Sequence, residues 1–185
     1  LPIHGVPLLL WAAAASTRSQ HIGRYYASSD DSDILNTAQE LGINELGARM
    51  IVTNTAQSAD AARRALSVIE QDGDVDIIVV QHANVGTITE KIIDDCIDEL
   101  LVDSSLDSVI PSYAKAEYHS YRGKRTVNGL MLPFVESAGK VSANRQDLPD
   151  CLFFDQSIWA LRRDAINDPQ GQFPWPCMGQ RIKSY

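Results

Sequence analysis

The sequence contains three clusters of polar side chains with the residue types to act on a phosphate, a base or an acid. The first cluster combines hydroxyl and carboxylate groups: Ser28, Ser29, Asp30 and Asp31. Where a strand leads into a helix, such side chains and the free backbone N–H groups beside them can hold a phosphate or the edge of a base. The same residue types also form ordinary helix N-caps, so the cluster alone is compatible with either role.

A second cluster follows the clearest strand pattern in the chain. Residues 75–80 (VDIIVV) are mostly β-branched, which predicts a buried strand, and Gln81, His82 and Asn84 come directly after it. Open α/β sheets bind their ligands beyond the carboxyl ends of the strands. The amides can pair with a pyrimidine or with sugar hydroxyls, whereas His82 has the alternative of being a hydrogen-bonded loop histidine.

The third cluster is basic, in a chain that is acidic as a whole. Its cations and their amide neighbour are Arg122, Lys124, Arg125, Arg145 and Gln146. Guanidinium and ammonium groups in such a set can clamp a carboxylate or a polyphosphate. The alternative is a solvated loop face whose cations pair with nearby acids.

Several common kinds of active site are absent from the sequence. No serine lies in a G-x-S-x-G segment and none of the three cysteines has a basic neighbour, which disfavours covalent catalysis. There is no G-x-x-x-x-G-K-[ST] loop and no G-x-G-x-x-G turn, so ATPase and dinucleotide-binding interpretations lose their usual support.

Length, charge and cysteine spacing limit the possible partners. The 185 residues fit one domain, and a net charge of −8 gives no long-range attraction for nucleic acid or an anionic membrane. The apolar run at residues 8–15 is too short to span a bilayer, so we expect no membrane partner. Cys96, Cys151 and Cys177 lie far apart without the spacing of a metal site, which fits a reducing cytoplasm.

Alternating strands and helices predict an α/β fold with a mostly parallel sheet flanked by helices. The predicted helices are residues 8–18, 34–41, 58–72 and 89–101; the first is apolar all round, so we expect it to be buried on most faces. The predicted strands are residues 24–29, 49–53, 75–80, 107–113 and 130–134. We predict a single domain over residues 1–185, with an irregular excursion at about 114–150 before an apolar stretch at 152–161.

Five segments, in the right order, resemble motifs of the acylneuraminate (CMP-sialic acid) cytidylyltransferases. The segments are 5–9 (GVPLL, similar to GKPLI), 28–34 (SSDDSDI, similar to STDDEEIA), 79–85 (VVQHANV, in the place of LLQPTSPL), 144–149 (NRQDLP, similar to RRQDLP) and 154–159 (FDQSIW, in the place of NGAIYI). The RQDLP piece is the most specific of them.

This resemblance implies a Rossmann-like nucleotidyltransferase fold and a homodimer, with the excursion as the dimerisation segment. It implies that a hydroxyl of an anionic acceptor attacks the α-phosphate of CTP and releases pyrophosphate with the help of Mg²⁺. By position, Ser28, Ser29 and Asp30 would lie near the nucleotide. The acceptor acid would be bound by Gln81, Lys124, Arg145 and Gln146.

Departures from the family pattern leave alternatives open. The family's nucleotide-binding loop and metal-binding aspartates are expected outside positions 1–185, so Mg²⁺ is implied but no ligand for it is assigned. His82-Ala83-Asn84 replaces Pro-Thr-Ser, and Asp155-Gln156 replaces Asn-Gly, so the acceptor is open to another nonulosonic acid, a deoxy-sugar acid or a phosphonate. A non-catalytic relative that kept the fold for binding or dimerisation, and a transferase using another nucleotide on a sugar phosphate, are the other hypotheses.

Overall fold

A computed structural model describes residues 2–40, 49–52, 58–136 and 141–185. Contacts divide the chain into two compact units. The first unit contains Leu1–Pro111 and Gln156–Tyr185, and the second is Ser112–Asp155. The second unit contains the excursion expected from the sequence, whereas the single domain over residues 1–185 stays a prediction.

The helices lie in the first unit; the first four agree closely with the predicted positions, and the short fifth was not predicted. They are α1 (Leu8–Arg18), α2 (Ser32–Glu40), α3 (Ser58–Ile69), α4 (Glu90–Val102) and the short α5 (Arg163–Ile166). The Thr89 side chain starts α4 by accepting a hydrogen bond from the backbone N–H of Ile92 at 3.4 Å. The α4 residues Ile93, Cys96, Ile97 and Leu100 are buried, as their helical spacing predicts.

Helix α1 is less buried than its sequence suggests. Its buried residues are Ala12 and Ala15, and Trp11 is 41% exposed. The expectation of burial on most faces holds in part: Trp11 and Arg18 are exposed, and the other residues of α1 are buried or half-buried. An apolar sequence does not show which faces the other elements cover. No helix in the described residues is long and apolar enough to cross a membrane.

Twelve strands complete the described structure. In the first unit they are β1 (Pro2–Ile3), β2 (Val6–Pro7), β3 (Tyr26–Ser29), β4 (Arg49–Val52), β5 (Ile77–Gln81), β6 (Ser108–Ile110), β11 (Ile158–Arg162) and β12 (Ile182–Ser184). In the second unit they are β7 (Ser112–Ala114), β8 (Lys124–Val127), β9 (Leu130–Pro133) and β10 (Leu152–Phe154).

The main sheet of the first unit is mixed, with strand order β12-β6-β11-β5. Strand β11 is antiparallel to both β5 and β6, and only the β12–β6 pair is parallel. Strands β3 and β4 form a separate parallel pair, and β1 and β2 a short hairpin. The prediction of a mostly parallel sheet is therefore wrong for the main sheet, because a buried apolar strand such as β11 carries no sequence signal for its direction.

The two faces of the main sheet pack against different elements. Ile158 and Ala160 of β11 belong to a cluster with α1 and α4 that also contains Ala15, Ile88, Ile93, Cys96, Ile97, Leu100 and Val109. Trp159 and Leu161 alternate with them and so point to the other face. There β11 contacts α5 and the 3-10 turn Pro176–Met178. Both faces are covered, and the residues Ile158–Leu161 are all buried.

The second unit is built from two antiparallel strand pairs, β7–β10 and the β8–β9 hairpin. The hairpin turns at Asn128 and Gly129, which both have positive φ, the conformation that tight hairpin turns require. The predicted strand 107–113 is divided at Pro111 into β6 and β7, which belong to different sheets. A proline lacks the N–H that a continuous ladder needs.

Candidate functional site

A cavity of about 630 Å³ lies in the first unit and is lined by residues of α1, β3, α3 and β5. This volume is within the usual range for small-molecule sites, roughly 300–1,000 Å³. Strands β3 and β5 do not pair with each other in the described sheets, and both border the cavity. The helices contribute mainly small apolar side chains to it, including Ala12, Ala13, Ala61, Ala62 and Ala65.

The amino ends of β3 and β5 are held together. Arg24, just before β3, donates hydrogen bonds to the carbonyls of Gly73 at 3.2 Å and Asp74 at 2.6 Å, which precede β5. The hydroxyl of Tyr26 also donates to an Asp72 carboxylate oxygen at 2.9 Å. Both strands therefore start at one end of the cavity. The polar residues at their carboxyl ends, Ser28 and Ser29 of β3 and Gln81 and His82 at the end of β5, lie toward the other end of the cavity.

The first predicted cluster is divided between the cavity and the start of α2. Ser28 and Ser29 line the cavity, whereas Asp30 is not among its lining residues. Asp31 caps α2, because its Oδ1 accepts hydrogen bonds from the backbone N–H groups of Asp33 at 2.8 Å and Ile34 at 3.4 Å. The N-cap interpretation is thus confirmed for Asp31, and nucleotide binding by Ser28, Ser29 and Asp30 stays a prediction.

Gln81 also lines the cavity, but its amide is engaged with α1. Its Nε2 donates to the carbonyl of Ala12 at 2.8 Å, and its Oε1 accepts a hydrogen bond from the Ser16 hydroxyl. These two contacts fasten the end of β5 to the helix. They leave one N–H and one lone pair of the amide unused, and the contact of Gln81 to an acceptor acid stays a prediction.

His82 follows Gln81 and packs against a residue from the opposite strand. Trp159 faces Val80 in the β5–β11 register, and His82 lies on the same side of the chain as Val80. The two rings meet edge to face, with centroids 5.0 Å apart and planes at 66°. His82 lines the cavity, whereas Trp159 does not and packs against the imidazole.

Two ring nitrogens of this pair are buried without a hydrogen-bond partner among the described residues: Nε2 of His82 and Nε1 of Trp159. Burial lowers the pKa of the His82 imidazole below its ordinary value, since removal from water disfavours the charged ring. His82 is therefore neutral at pH 7. The sequence analysis named His82 but missed Trp159, because their contact depends on a strand register between segments far apart in the chain.

The lowered pKa predicts a pH-dependent stability. The unfolded chain, with a histidine pKa of about 6.5, takes up the proton before the folded protein does as the pH falls. The stability that the neutral His82 contributes is full above about pH 6.5 and is lost as the pH falls toward the lower folded-state pKa. We expect the urea midpoint of the wild type to fall relative to that of His82→Phe between about pH 7 and 5.

The comparison with His82→Phe isolates this one group. The other ionisable residues at the cavity, among them His21, Arg24 and Asp74, are the same in both proteins and their contributions cancel to first order. A constant difference between the two midpoints over this pH range would contradict the assignment of a buried neutral His82.

The third predicted cluster lies in the second unit. Lys124 is the first residue of β8, and Arg145 and Gln146 lie in the 3-10 turn Arg145–Asp147. Arg145 pairs with Glu117 at 3.2 Å, and Arg125 pairs with Glu136 at 3.2 Å. The alternative of cations paired with nearby acids thus holds for these two arginines.

Lys124 and Gln146 have different surroundings. The backbone N–H of Gln146 donates to the Asn144 side chain at 3.3 Å, which caps the turn. Lys124 is exposed and has no ion pair with a residue that the structure describes. Acceptor binding by Lys124, Arg145 and Gln146 stays a prediction.

The structure offers no evident protein site for the implied Mg²⁺ in the part of the chain it describes. Within residues 2–40, 49–52, 58–136 and 141–185, no group of three or more His, Cys, Asp or Glu side chains is placed to hold a metal ion. The described residues therefore do not fit a metal cage of protein ligands, and no step of the chemistry is assigned to one.

No protein-family model and no curated protein sequence matches this chain, but solved structures do. One is a CMP:2-keto-3-deoxy-manno-octonic acid synthetase in complex with CTP, 18% identical with a TM-score of 0.69, covering 100% of this chain and 80% of that one. Another is 4-diphosphocytidyl-2C-methyl-D-erythritol synthase from Anaerococcus prevotii, 10% identical with a TM-score of 0.66, covering 100% and 78%. A second synthase of that name is 11% identical with a TM-score of 0.57, covering 86% and 67%. At these identities the likeness shows the fold alone: the chain has the same Rossmann-like α/β fold as these synthases.

Proposed function

We propose that this protein is a CTP-dependent cytidylyltransferase, which activates a sugar acid such as an acylneuraminate to its CMP conjugate and releases pyrophosphate. The observation that carries the proposal is the cavity of about 630 Å³ with Ser28, Ser29, Gln81 and His82 in its wall. The fold supports it, because one structure of the same fold was solved with CTP bound. A deoxy-sugar acid, another nonulosonic acid and a phosphonate are the alternative acceptors.

The polar groups of the cavity suit a nucleoside better than a polyphosphate. Serine hydroxyls and an amide can pair with a pyrimidine edge and with ribose hydroxyls. Phosphoryl transfer needs positioning and charge neutralisation more than a protein nucleophile, so the lack of a G-x-S-x-G segment and of a cysteine with a basic neighbour is consistent with this chemistry. A requirement for Mg²⁺ and binding of the acceptor's anionic group by Lys124, Arg145 and Gln146 are further parts of the proposal.

Nucleotide selectivity in thermal unfolding tests the proposal. A ligand that binds only the folded state at 100 times its Kd adds about 2.7 kcal/mol to the free energy of unfolding. We expect CTP to raise the unfolding temperature clearly more than ATP, GTP or UTP at equal concentration. Equal effects of all four would favour a transferase of another specificity, and no effect of any would favour a non-catalytic relative.

We also propose that the protein forms a homodimer through the hairpin of the second unit. One face of the hairpin exposes large apolar side chains, because Val127 pairs with Leu130 and Leu132 points to the same face as Leu130. Val127 is 40% exposed, Leu130 67% and Leu132 40%, and Phe134, just after the strand, is 64% exposed. Contiguous apolar surface of this kind marks interaction sites on soluble proteins. A second copy presents the same surface, and a two-fold axis would bring the two patches together.

The dimer proposal predicts the effect of a charge within this patch. Leu130→Glu buries a carboxylate in the interface and is expected to weaken the dimer by at least tenfold in Kd, because a buried unpaired charge is costly. Sedimentation equilibrium measures the change. Ser104→Glu, at an exposed position in the first unit, is the control and should leave the association unchanged. A monomeric wild type at all concentrations would contradict the dimer.

A further inference from the structure

His119 is buried in the second unit and connects two segments of it. The residue is only 4% exposed. Its Nε2 lies 3.1 Å from the carbonyl oxygen of Pro149, and its Nδ1 accepts a hydrogen bond from the backbone N–H of Tyr121 at 3.1 Å. Because a carbonyl oxygen can only accept, the proton is on Nε2, and both ring nitrogens have a partner. The imidazole therefore ties the segment before β8 to a residue 30 positions later.

The predicted acceptor-binding residues lie on the two segments that His119 connects. Lys124 begins β8, shortly after His119. Arg145 and Gln146 lie in the 3-10 turn shortly before Pro149. All three are exposed, so an anionic ligand can reach them. Long exposed side chains are mobile, so their arrangement depends on how the two backbone segments are held relative to each other.

The 3-10 turn has further contacts, which shape it or hold it weakly. The Asn144 side chain accepts a hydrogen bond from the N–H of Gln146 at 3.3 Å, which shapes the turn but does not attach it to β8. Arg145 pairs with Glu117, but the two side chains are 62% and 55% exposed. Exposed ion pairs contribute little because water screens them. We therefore expect the contact from the buried His119 to contribute more than this ion pair to holding the turn in place.

We propose that His119 is a positioning residue of the acceptor site, which holds Arg145 and Gln146 in a fixed place relative to β8. Lys124 at the start of that strand can then bind the same anionic group of the acceptor. This inference rests on the proposed cytidylyltransferase function and adds to it a residue that does not itself touch the acceptor. Groups that are held in place beforehand lose less conformational entropy when a ligand binds. Loss of the tie is therefore expected to weaken binding of the acceptor and to leave binding of CTP unchanged.

The main test compares two substitutions of similar size. In His119→Gln the side-chain amide can donate to Pro149 in place of Nε2, whereas methionine in His119→Met has a similar length and no donor. For His119→Met we expect the KM for the acceptor to rise about five- to tenfold, as for the loss of one hydrogen bond, because that contact is replaced by water. The kcat and the KM for CTP should stay within about twofold, since only acceptor binding is weakened. For His119→Gln all three constants should stay within about twofold of the wild type.

A third variant controls for a general loss of stability. His119→Asn can keep the contact with the N–H of Tyr121 through its Oδ1, but its side chain is too short to reach Pro149. The glutamine and asparagine variants each lose one of two hydrogen bonds of equal length, so a purely structural role would affect both alike. We expect the acceptor KM to rise in His119→Asn as it does in His119→Met. An acceptor KM of His119→Gln equal to that of either other variant would overturn the inference.

Failure of the proposed function can be told apart from failure of this inference. If the wild type releases no pyrophosphate with any acceptor, the function fails, and binding of the anion is then measured directly. The probes are 2-keto-3-deoxy-manno-octonic acid and N-acetylneuraminic acid, titrated into ¹⁵N-labelled protein. Shifts of the Lys124 and Gln146 amide resonances that need about five- to tenfold more sugar acid in His119→Met than in the wild type and in His119→Gln support the inference. No shift with either acid, or the same affinity in all of these proteins, overturns it.

Discussion

Gly179→Ala is expected to lower the free energy of unfolding by about 3 kcal/mol or more. Gly179 has φ +76°, and a Cβ there would lie 2.4 Å from the Cβ of Asp107. The Asp107 carboxylate accepts hydrogen bonds from the backbone N–H groups of Gln180 at 2.8 Å and Arg181 at 2.9 Å. A side chain at 179 would therefore disrupt the contacts that place β12 beside β6.

A second glycine separates the two causes of this loss of stability, which are the strained backbone conformation and the clash with Asp107. Gly129, in the β8–β9 turn, has nearly the same φ of +79°, but nothing lies within 4 Å of a Cβ built there. Gly129→Ala should lose only the conformational part, about 1 kcal/mol. Urea unfolding of both variants measures the difference. Equal losses would contradict the close approach of Gly179 to Asp107.

Ser28→Trp is expected to abolish the stabilisation of the folded protein by CTP. Ser28 lines the cavity and is exposed, so the fold can accommodate an indole side chain at this position. The indole would then fill the space that the ligand occupies. At a CTP concentration of 100 times the wild-type Kd, the loss amounts to about 2.7 kcal/mol of ligand-induced stability. Thermal unfolding with and without CTP measures it.

The control for Ser28→Trp is the same substitution outside the cavity. Gln39 is exposed on α2 and is not a lining residue, so Gln39→Trp should keep the full stabilisation by CTP. If Ser28→Trp and Gln39→Trp responded to CTP like the wild type, the nucleotide would bind elsewhere and the assignment of the cavity would be wrong.

The elements that the sequence predicts well are those with a strong local pattern. Helix α4 was expected at 89–101 and is Glu90–Val102, because its apolar residues repeat at helical spacing behind the capping Thr89. Strand β5 was expected at 75–80 and is Ile77–Gln81, from its β-branched run. The hairpin strand expected at 130–134 is confirmed as Leu130–Pro133.

Features that depend on distant contacts could not be predicted in this way. Strand β11 lies between β5 and β6 and is antiparallel to both. Its direction depends on the path of the chain between distant segments, because the pattern of apolar residues is the same for a parallel and an antiparallel strand. The pairing of Gln81 with Ala12 and Ser16 joins residues 65 or more positions apart. Such contacts are fixed by packing of the helices on the sheet and leave no local sequence signal.

The candidate site also contains some residues that the sequence locates and some contacts that it does not show. The sequence located Ser28, Ser29 and Gln81 at the ends of strands, and the structure places all three in the wall of one cavity. Capping was the alternative role that the sequence offered for the first cluster, and Asp31 has it. The sequence could not show that Trp159 would pack against His82. The residues Lys124, Arg145 and Gln146 lie in the second unit, and acceptor binding by them is a prediction from the family resemblance alone.

Pyrophosphate release tests the central proposal most directly. The protein is incubated with CTP, Mg²⁺ and, in turn, an acylneuraminate, a deoxy-sugar acid and a phosphonate, and pyrophosphate and the CMP conjugate are quantified together. The account predicts equal amounts of the two products with at least one acceptor, and none with Ser28→Trp. No pyrophosphate with any of the three acceptors, from protein that CTP does not stabilise, would contradict it.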